Sequence, residues 1–464
     1  MWSALVAMMI MAGPAPKAPA DAQVVGSAPA IDKLGTLVPF FQKAGTRSVL
    51  VRPENWKTDA HALLEVDFTS VEALRAAGID ASGPLTRAQV GDATMSCVRI
   101  LNVDAYRKGC DARLIRMGDV FEKVEGGVSV YGSRDPIGRV MAAYTVLGKD
   151  SCALNGHGRS VEALFPMLAK TTAKPASGAG WSMVSKAPGV LQLVLPSGTT
   201  TGVVGINARE FDLTLDARTK SAPFAQFAGA GPSPLGVFKA SGMAVIRGRV
   251  SKAQLPSLVE QVVRVMPNGA GLLPAAKALA PYLTGNTALL LSHVRVSQGL
   301  RTREARFFAL KGAALAEVSD PAAVQPVISA IDQGLLKFPQ GALSVSLEGN
   351  MLVIANDHDV RARAVAALAN SSGKQLHGVE FDVDPKAVAK GLQQVPLLEA
   401  VQSPELAGFV AASSELGPLL LASTSVSGWL DSAADSQHVA KLVWTLDEAK
   451  FQPDAGGDLD AGVK

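Results

Sequence analysis

The residues of this chain best suited to proton transfer, nucleophilic attack or metal binding are six histidines and three cysteines. The histidines are His61, His157, His293, His358, His377 and His438, and none has a second histidine, cysteine or carboxylate at a dependable ligand spacing. No metal site is expected. His157 and His358 are the sharpest pair, because each follows an apparent strand at a helix start and both could face a shared cleft between lobes. The competing expectation is that each sits in a solvated loop. Cys97, Cys110 and Cys152 crowd into one stretch without a CxxC pair, which argues against zinc or redox catalysis. In an oxidising compartment they imply one disulfide and one spare thiol, with three pairings open, and inert core thiols are the alternative.

Nucleophile and phosphate motifs fail on their mechanics. The stretch from Gly231 to Gly236 sets prolines on both sides of Ser233, where a nucleophile elbow needs glycines. Ser371 and Lys374 have S-x-x-K spacing, but in a Gly/Asn linker where that motif should open a buried helix. Gly373-Lys374 is followed by Gln375, where a phosphate loop needs a hydroxyl for magnesium. Asp67 and Asp382 sit at strand ends and read as capping or edge residues. Phe224, Phe227, Phe238, Phe307 and Phe308 could line a cavity, but core packing is by far the commoner use of such residues. No catalytic residue and no cofactor is assigned.

These residues must be positioned by a recurring unit of short apolar strand, tight turn and helix. Ser70 is placed to cap a helix closed by Gly78, and further helices are expected over 104–117, after Ser319-Asp320-Pro321 and after Asp384-Pro385. Leu63 to Phe68 reads as a strand. One comparison makes the pattern a repeat. Residues 144–168 and 345–368 both read as hairpin then helix, and Gly148, Asn155 and His157 match Gly349, Asn356 and His358 at a constant step of 201. The expected fold class is α+β, with repeated antiparallel or mixed sheets each covered by helices on one face, and internal duplication.

Composition bounds the rest. Hydrophobic residues are 48% and charged residues 18% of the 464, enough to bury a sizeable core and too many for a single one. A net charge of +3 from 44 basic and 41 acidic residues, with 5% aromatics, gives no field or stacking platform for nucleic acid. The small, apolar run from Met1 to Gly13, followed by Ala18-Pro19-Ala20, reads as a signal peptide over 1–20. That run is shorter than the ~20 residues a bilayer requires, and no later segment qualifies, 416–430 reading as buried strands. The expected location is the periplasm, the cell surface or the exterior. Linkers at 170–180 and 370–374 divide the rest into a first lobe 21–172, a second 180–369 and a partial third 375–450, with a disordered tail 451–464.

With its short leader, paired hairpins, Phe381-Asp382 strand before Asp384-Pro385 and Ala-rich helices, the chain resembles the uncharacterised exported α+β proteins of Gram-negative bacteria. The resemblance spans most of 40–450 and implies no activity or site residue. The functional expectation is an exported, non-enzymatic binding or structural protein, with an unknown protein or small apolar ligand as partner. The alternative is an exported hydrolase whose catalytic groups meet only in three dimensions.

Overall fold

The computed structural model describes residues 17–19, 22, 24–52, 57–156, 161–175, 189–195, 202–219, 227–265, 269–295, 309–335, 343–394, 415–432 and 437–451. The first half runs β1 (Val24–Ala28), α1 (Val38–Arg47), α2 (Val71–Ala76), β2 (Leu85–Val90), β3 (Ala93–Arg99), α3 (Val103–Met117), β4 (Asp119–Glu125) and β5 (Val128–Arg134). It continues through β6 (Val140–Leu147), β7 (Asp150–Gly156), α4 (Phe165–Ala173), β8 (Leu191–Leu195), β9 (Gly202–Ala208) and β10 (Asp212–Thr219). The second half holds β11 (Gly231–Ser233), β12 (Ala244–Arg249), α5 (Leu255–Val265), α6 (Leu273–Leu279), β13 (Leu283–Val294), β14 (Leu310–Val318) and α7 (Pro321–Leu335). It ends with β15 (Ser344–Glu348), β16 (Met351–Ala355), α8 (His358–Ala369), β17 (Lys374–Leu376), β18 (Val379–Val383), α9 (Pro385–Gln393), α10 (415–421), β19 (Ser423–Ser432) and β20 (His438–Leu446).

Helices start where side chains satisfy the first amides. Ser70 accepts from Ala73 N at 3.2 Å, Asp320 from Ala323 N at 3.0 Å and Asp384 from Ala387 N at 3.0 Å. The expected strand at 63–68 does not form. Its backbone is irregular, and its amides are taken elsewhere: Leu63 and Leu64 donate to His61, and Phe68 donates to Lys57 O. Residues 170–173, expected in a linker, complete α4, while 176–180 lie outside the described residues.

Among the described residues, one 18-stranded sheet carries the fold. Edge to edge the order is β4-β5-β6-β7-β3-β2-β1-β8-β9-β10-β20-β19-β18-β12-β13-β14-β16-β15, and every pairing is antiparallel, so the mixed alternative is set aside. Pairing also runs through the expected lobe divisions, since β18 pairs with β12 and β20 with β10.

Directly opposed residues of antiparallel strands point to the same face, so a line can be followed across the sheet. From Cys152 it passes through Cys97, Thr86, Ser27, Gln192, Gly205 and Asp216. It then crosses to Lys441, Trp429, Glu380, Arg247, Ala288, Leu315 and Val353. We call the face bearing this line the front. Helices pack on both faces, which corrects the expectation of one covered face. At one end, Phe165 and Leu168 of the α4 helix bury against Met95, Cys97 and Cys152 on the front, while Tyr106, Cys110 and Leu114 of α3 bury against Val98, Tyr144 and Ala153 on the back. At the other end, Val360 and Ala364 of α8 cover Ala288, Leu315 and Val353 on the front, and Val324 and Ile328 of α7 cover Val318, Val345 and Leu352 on the back. The reason is geometric: the helix after β3 or β14 and the helix after β7 or β16 leave opposite ends of their strands onto opposite faces, which periodicity within one helix does not record.

Candidate functional site

His61 is a buried titratable group with both ring nitrogens hydrogen-bonded. Its Nδ1 accepts the amides of Leu63 and Leu64 at 3.2 and 3.1 Å, so the neutral ring carries its proton on Nε2, 3.0 Å from the Tyr106 hydroxyl. Ser151 gives its single hydrogen to Thr145 O at 2.6 Å, which leaves Tyr106 donating to Ser151 across 2.8 Å. The chain is therefore directional and satisfied from His61 to the Thr145 carbonyl. Burial, helped by the Arg87 charge, lowers the His61 pKa to about 3, and burial raises the Tyr106 hydroxyl and the Cys110 thiol well above their ordinary values. Tyr106 and Ser151 have no exposed surface. This Ser–Tyr–His chain is closed off from solvent and ties the irregular 57–68 segment to α3 through His61 and Tyr106.

The accessible acid–base group lies at mid-sheet on the front. His377 Nδ1 meets Asp431 Oδ2, whose other oxygen accepts Gly378 N at 2.7 Å, and the imidazole stacks on Trp429 with ring centroids 4.3 Å apart. In the neutral ring an aspartate so held favours the tautomer with its proton on Nδ1, which makes Nε2 the acceptor, as in a general-base dyad. Beside it, Arg247 is buried with its guanidinium 3.2 Å from Glu380 and 2.6 Å from Asp382, and donates to Gly236 O at 3.2 Å. Further along, burial raises the Asp216 carboxyl while Lys441 and Arg218 pull it down. Among the described residues no hydroxyl or thiol is hydrogen-bonded to His377, so the arrangement supplies a base without a nucleophile.

Opposite this polar strip, the back of the same strands is apolar. Val204, Ala217, Ala440, Leu430 and Val379 form one half-buried row, and Leu215, Leu442, Phe381 and Ile246 another. Gly428 interrupts the second row because the Phe381 ring lies over it, so that a Cβ there would stand 2.6 Å from Phe381 Cζ.

Of the expected site residues, Cys97 and Cys152 are joined across β3 and β7, with an S–S distance of 2.02 Å, and Cys110 is the buried spare thiol on the other face. His157 lies outside the described residues. His358 opens α8 with its side chain 90% exposed, 3.9 Å from Asp359, and among the described residues no other catalytic or ligating group is bonded to it. The His377–Asp431 and His61–Tyr106 pairs escaped sequence reading because their partners are 54 and 45 residues away. Among the described residues no group of three or more His, Cys, Asp or Glu is placed to hold a metal ion, and no helix is long and apolar enough to cross a membrane.

No family model matches the chain, and no curated protein matches it. Among solved structures, crystal form I of TP0453, a spirochaete protein, is similar at a TM-score of 0.21 and 10% identity, over 78% of this chain and 98% of that one, a likeness that carries no argument.

Proposed function

We propose that the chain is two copies of one unit, 24–219 and 244–446, fused through β10 and β20, and that it serves outside the cytoplasm as a non-enzymatic protein binding a small apolar ligand on the back of its central strands. Support for the copies comes from order, face and register together. The strands β1, β2, β3, β6, β7, β8, β9 and β10 correspond in turn to β12, β13, β14, β15, β16, β18, β19 and β20, with matching neighbours and with helices on matching faces. The hairpin β4–β5 is then an insertion in the first copy. The line across the sheet leaves Cys152 and arrives at Val353, the same step of 201 that aligns Gly148 with Gly349 in sequence. Such a relation is a two-fold axis normal to the sheet, between Asp216 and Lys441.

The observation that carries the binding reading is the half-buried apolar back face at this junction, where Leu430, Phe381 and Leu442 keep surface that a folded chain ordinarily covers. Export is favoured by the leader-like start and by the Cys97–Cys152 disulfide. The test is titration of the full chain with the apolar fluorophore N-phenylnaphthylamine. Saturable binding weakened at least tenfold by Leu430→Asp, and also by the milder Val379→Ser at an unchanged unfolding midpoint, is expected. Absence of saturable binding would favour a structural or protein-binding role. A hydrolase remains the second reading because the His377–Asp431 pair has the geometry of a base; it requires a hydroxyl or thiol brought to Nε2.

A further inference from the structure

Residues 17–19 and 22, ahead of the first strand, are built into the folded body. Lys17 Nζ lies 2.7 Å from Asp150 Oδ2, at the β6–β7 turn, and donates to Thr172 O at 2.5 Å near the end of α4. Ala22 N donates to Pro19 O at 3.3 Å. Ala18 is 5% exposed and Ala22 wholly buried, packed with Val25, Ala88, Val194 and Val203 and against Leu164 and Met167. All four of those strand residues lie on the front of the sheet, so these residues are clamped between the front and the α4 region.

The second half does the same with a segment that no leader peptidase removes. Leu235 and Phe238, both fully buried, pack ahead of β12 on Ala288 and Leu315, beside Val360 and Ala364 of α8. Ala18 and Phe238 each stand nine residues ahead of matched positions on the cross-sheet line, Ser27 and Arg247. This correspondence rests on the two-copy reading; the contacts of Lys17 and Ala18 do not.

We infer that Lys17, Ala18, Pro19 and Ala22 form a structural strap of the mature protein, and that the peptide bond hydrolysed on leader removal lies ahead of Lys17. Hydrolysis after Ala20 would discard the Lys17 ion pair and the buried Ala18 methyl. It would also put the new charged amino terminus one residue ahead of the fully buried Ala22 in the sequence. The cut the sequence suggests is therefore one the fold disfavours.

The test is intact mass and N-terminal peptide mapping of the full-length chain after export from a Gram-negative host. A mature protein that has lost residues from its start but still begins at or before Lys17 is expected; an uncut chain beginning at Met1, or a folded, disulfide-bonded protein starting after Lys17, overturns the inference. A second measurement uses the full chain carrying Lys17→Met, Asp150→Asn or both. Each single change should lower the unfolding midpoint by about 1–3 °C and the double change by no more than the larger single one. Midpoints unmoved by both single changes would mean that the ion pair holds nothing, and would also overturn it. Coordinates in which 24–219 and 244–446 fail to superpose would remove the repeat and leave the strap standing, whereas a start at Asp21 would do the reverse.

Discussion

His61 makes the stability of the first half depend on pH in a way that can be worked out in advance. The ring is held neutral in the folded chain, with its pKa lowered to about 3 from the ordinary 6.5, because burial excludes the charged form and both ring nitrogens are committed. Unfolding frees it to take a proton near 6.5, so the unfolded state binds more protons between those values and stability falls as pH falls through them. Well below 6.5 each pH unit costs about 1.4 kcal/mol, and lowering the pH from about 7 to about 4.5 removes roughly 2.5 kcal/mol through this group alone. The perturbation that isolates it is His61→Asn, which keeps an acceptor for the Leu63 and Leu64 amides but does not titrate. Loss of the Tyr106 bond and some ring volume should make the variant about 1–3 kcal/mol less stable near pH 7. Near pH 4.5 that gap should close. Urea unfolding followed by tryptophan fluorescence at the two pH values reads both numbers. A gap of the same size at both would mean that His61 is protonated, or reachable by water, in the folded protein.

Other outcomes follow from the same geometry. Thiol labelling of the unreduced protein should modify nothing when folded and only Cys110 when unfolded, with Cys97 and Cys152 reacting only after reduction; labelling of Cys97 in unreduced, unfolded chain would contradict the bridge. Arg247→Met should cost about 1–3 kcal/mol in urea unfolding, because it strands Glu380 and Asp382, which are exposed enough to regain water; a neutral result would mean that the pair is solvated already. Gly148→Ala and Gly349→Ala place a side chain at φ 61° and 65° with no heavy atom within 4 Å, so each should cost about 1–2 kcal/mol from backbone strain alone, and nearly equally; markedly unequal costs would argue against matched turns.

Much of the local structure was legible because it is chemically local. Ser70, Asp320 and Asp384 capped helices where a side-chain oxygen precedes a run of helix formers, and the Gly148 and Gly349 turns were visible as glycines between apolar runs. Leu63 to Phe68 misled because its alternation of apolar and acidic residues suits a strand, while the backbone partners that decide its form, His61 and Lys57, are set by tertiary packing. The faces chosen by α3 and α4 were invisible, since an apolar stripe says that a helix packs and not on which side of a sheet. The candidate site was hidden for a related reason. His377, Trp429 and Asp431 come from β18's approach and from β19, and only the pairing of Val379 with Leu430 brings them together. The three cysteines left their pairing open until the register of β3 on β7 set Cys97 opposite Cys152.

The central claim is that two like halves meet at β10 and β20, and an experimentally determined structure of the full chain tests it most directly. A rotation near 180° should carry 24–219 onto 244–446, bringing Cys152 onto Val353 and Gly148 onto Gly349, with Asp216 opposite Lys441 beside the axis. Strands 212–219 and 438–446 lying apart, or paired in a register that sets Asp216 opposite another residue, would contradict it.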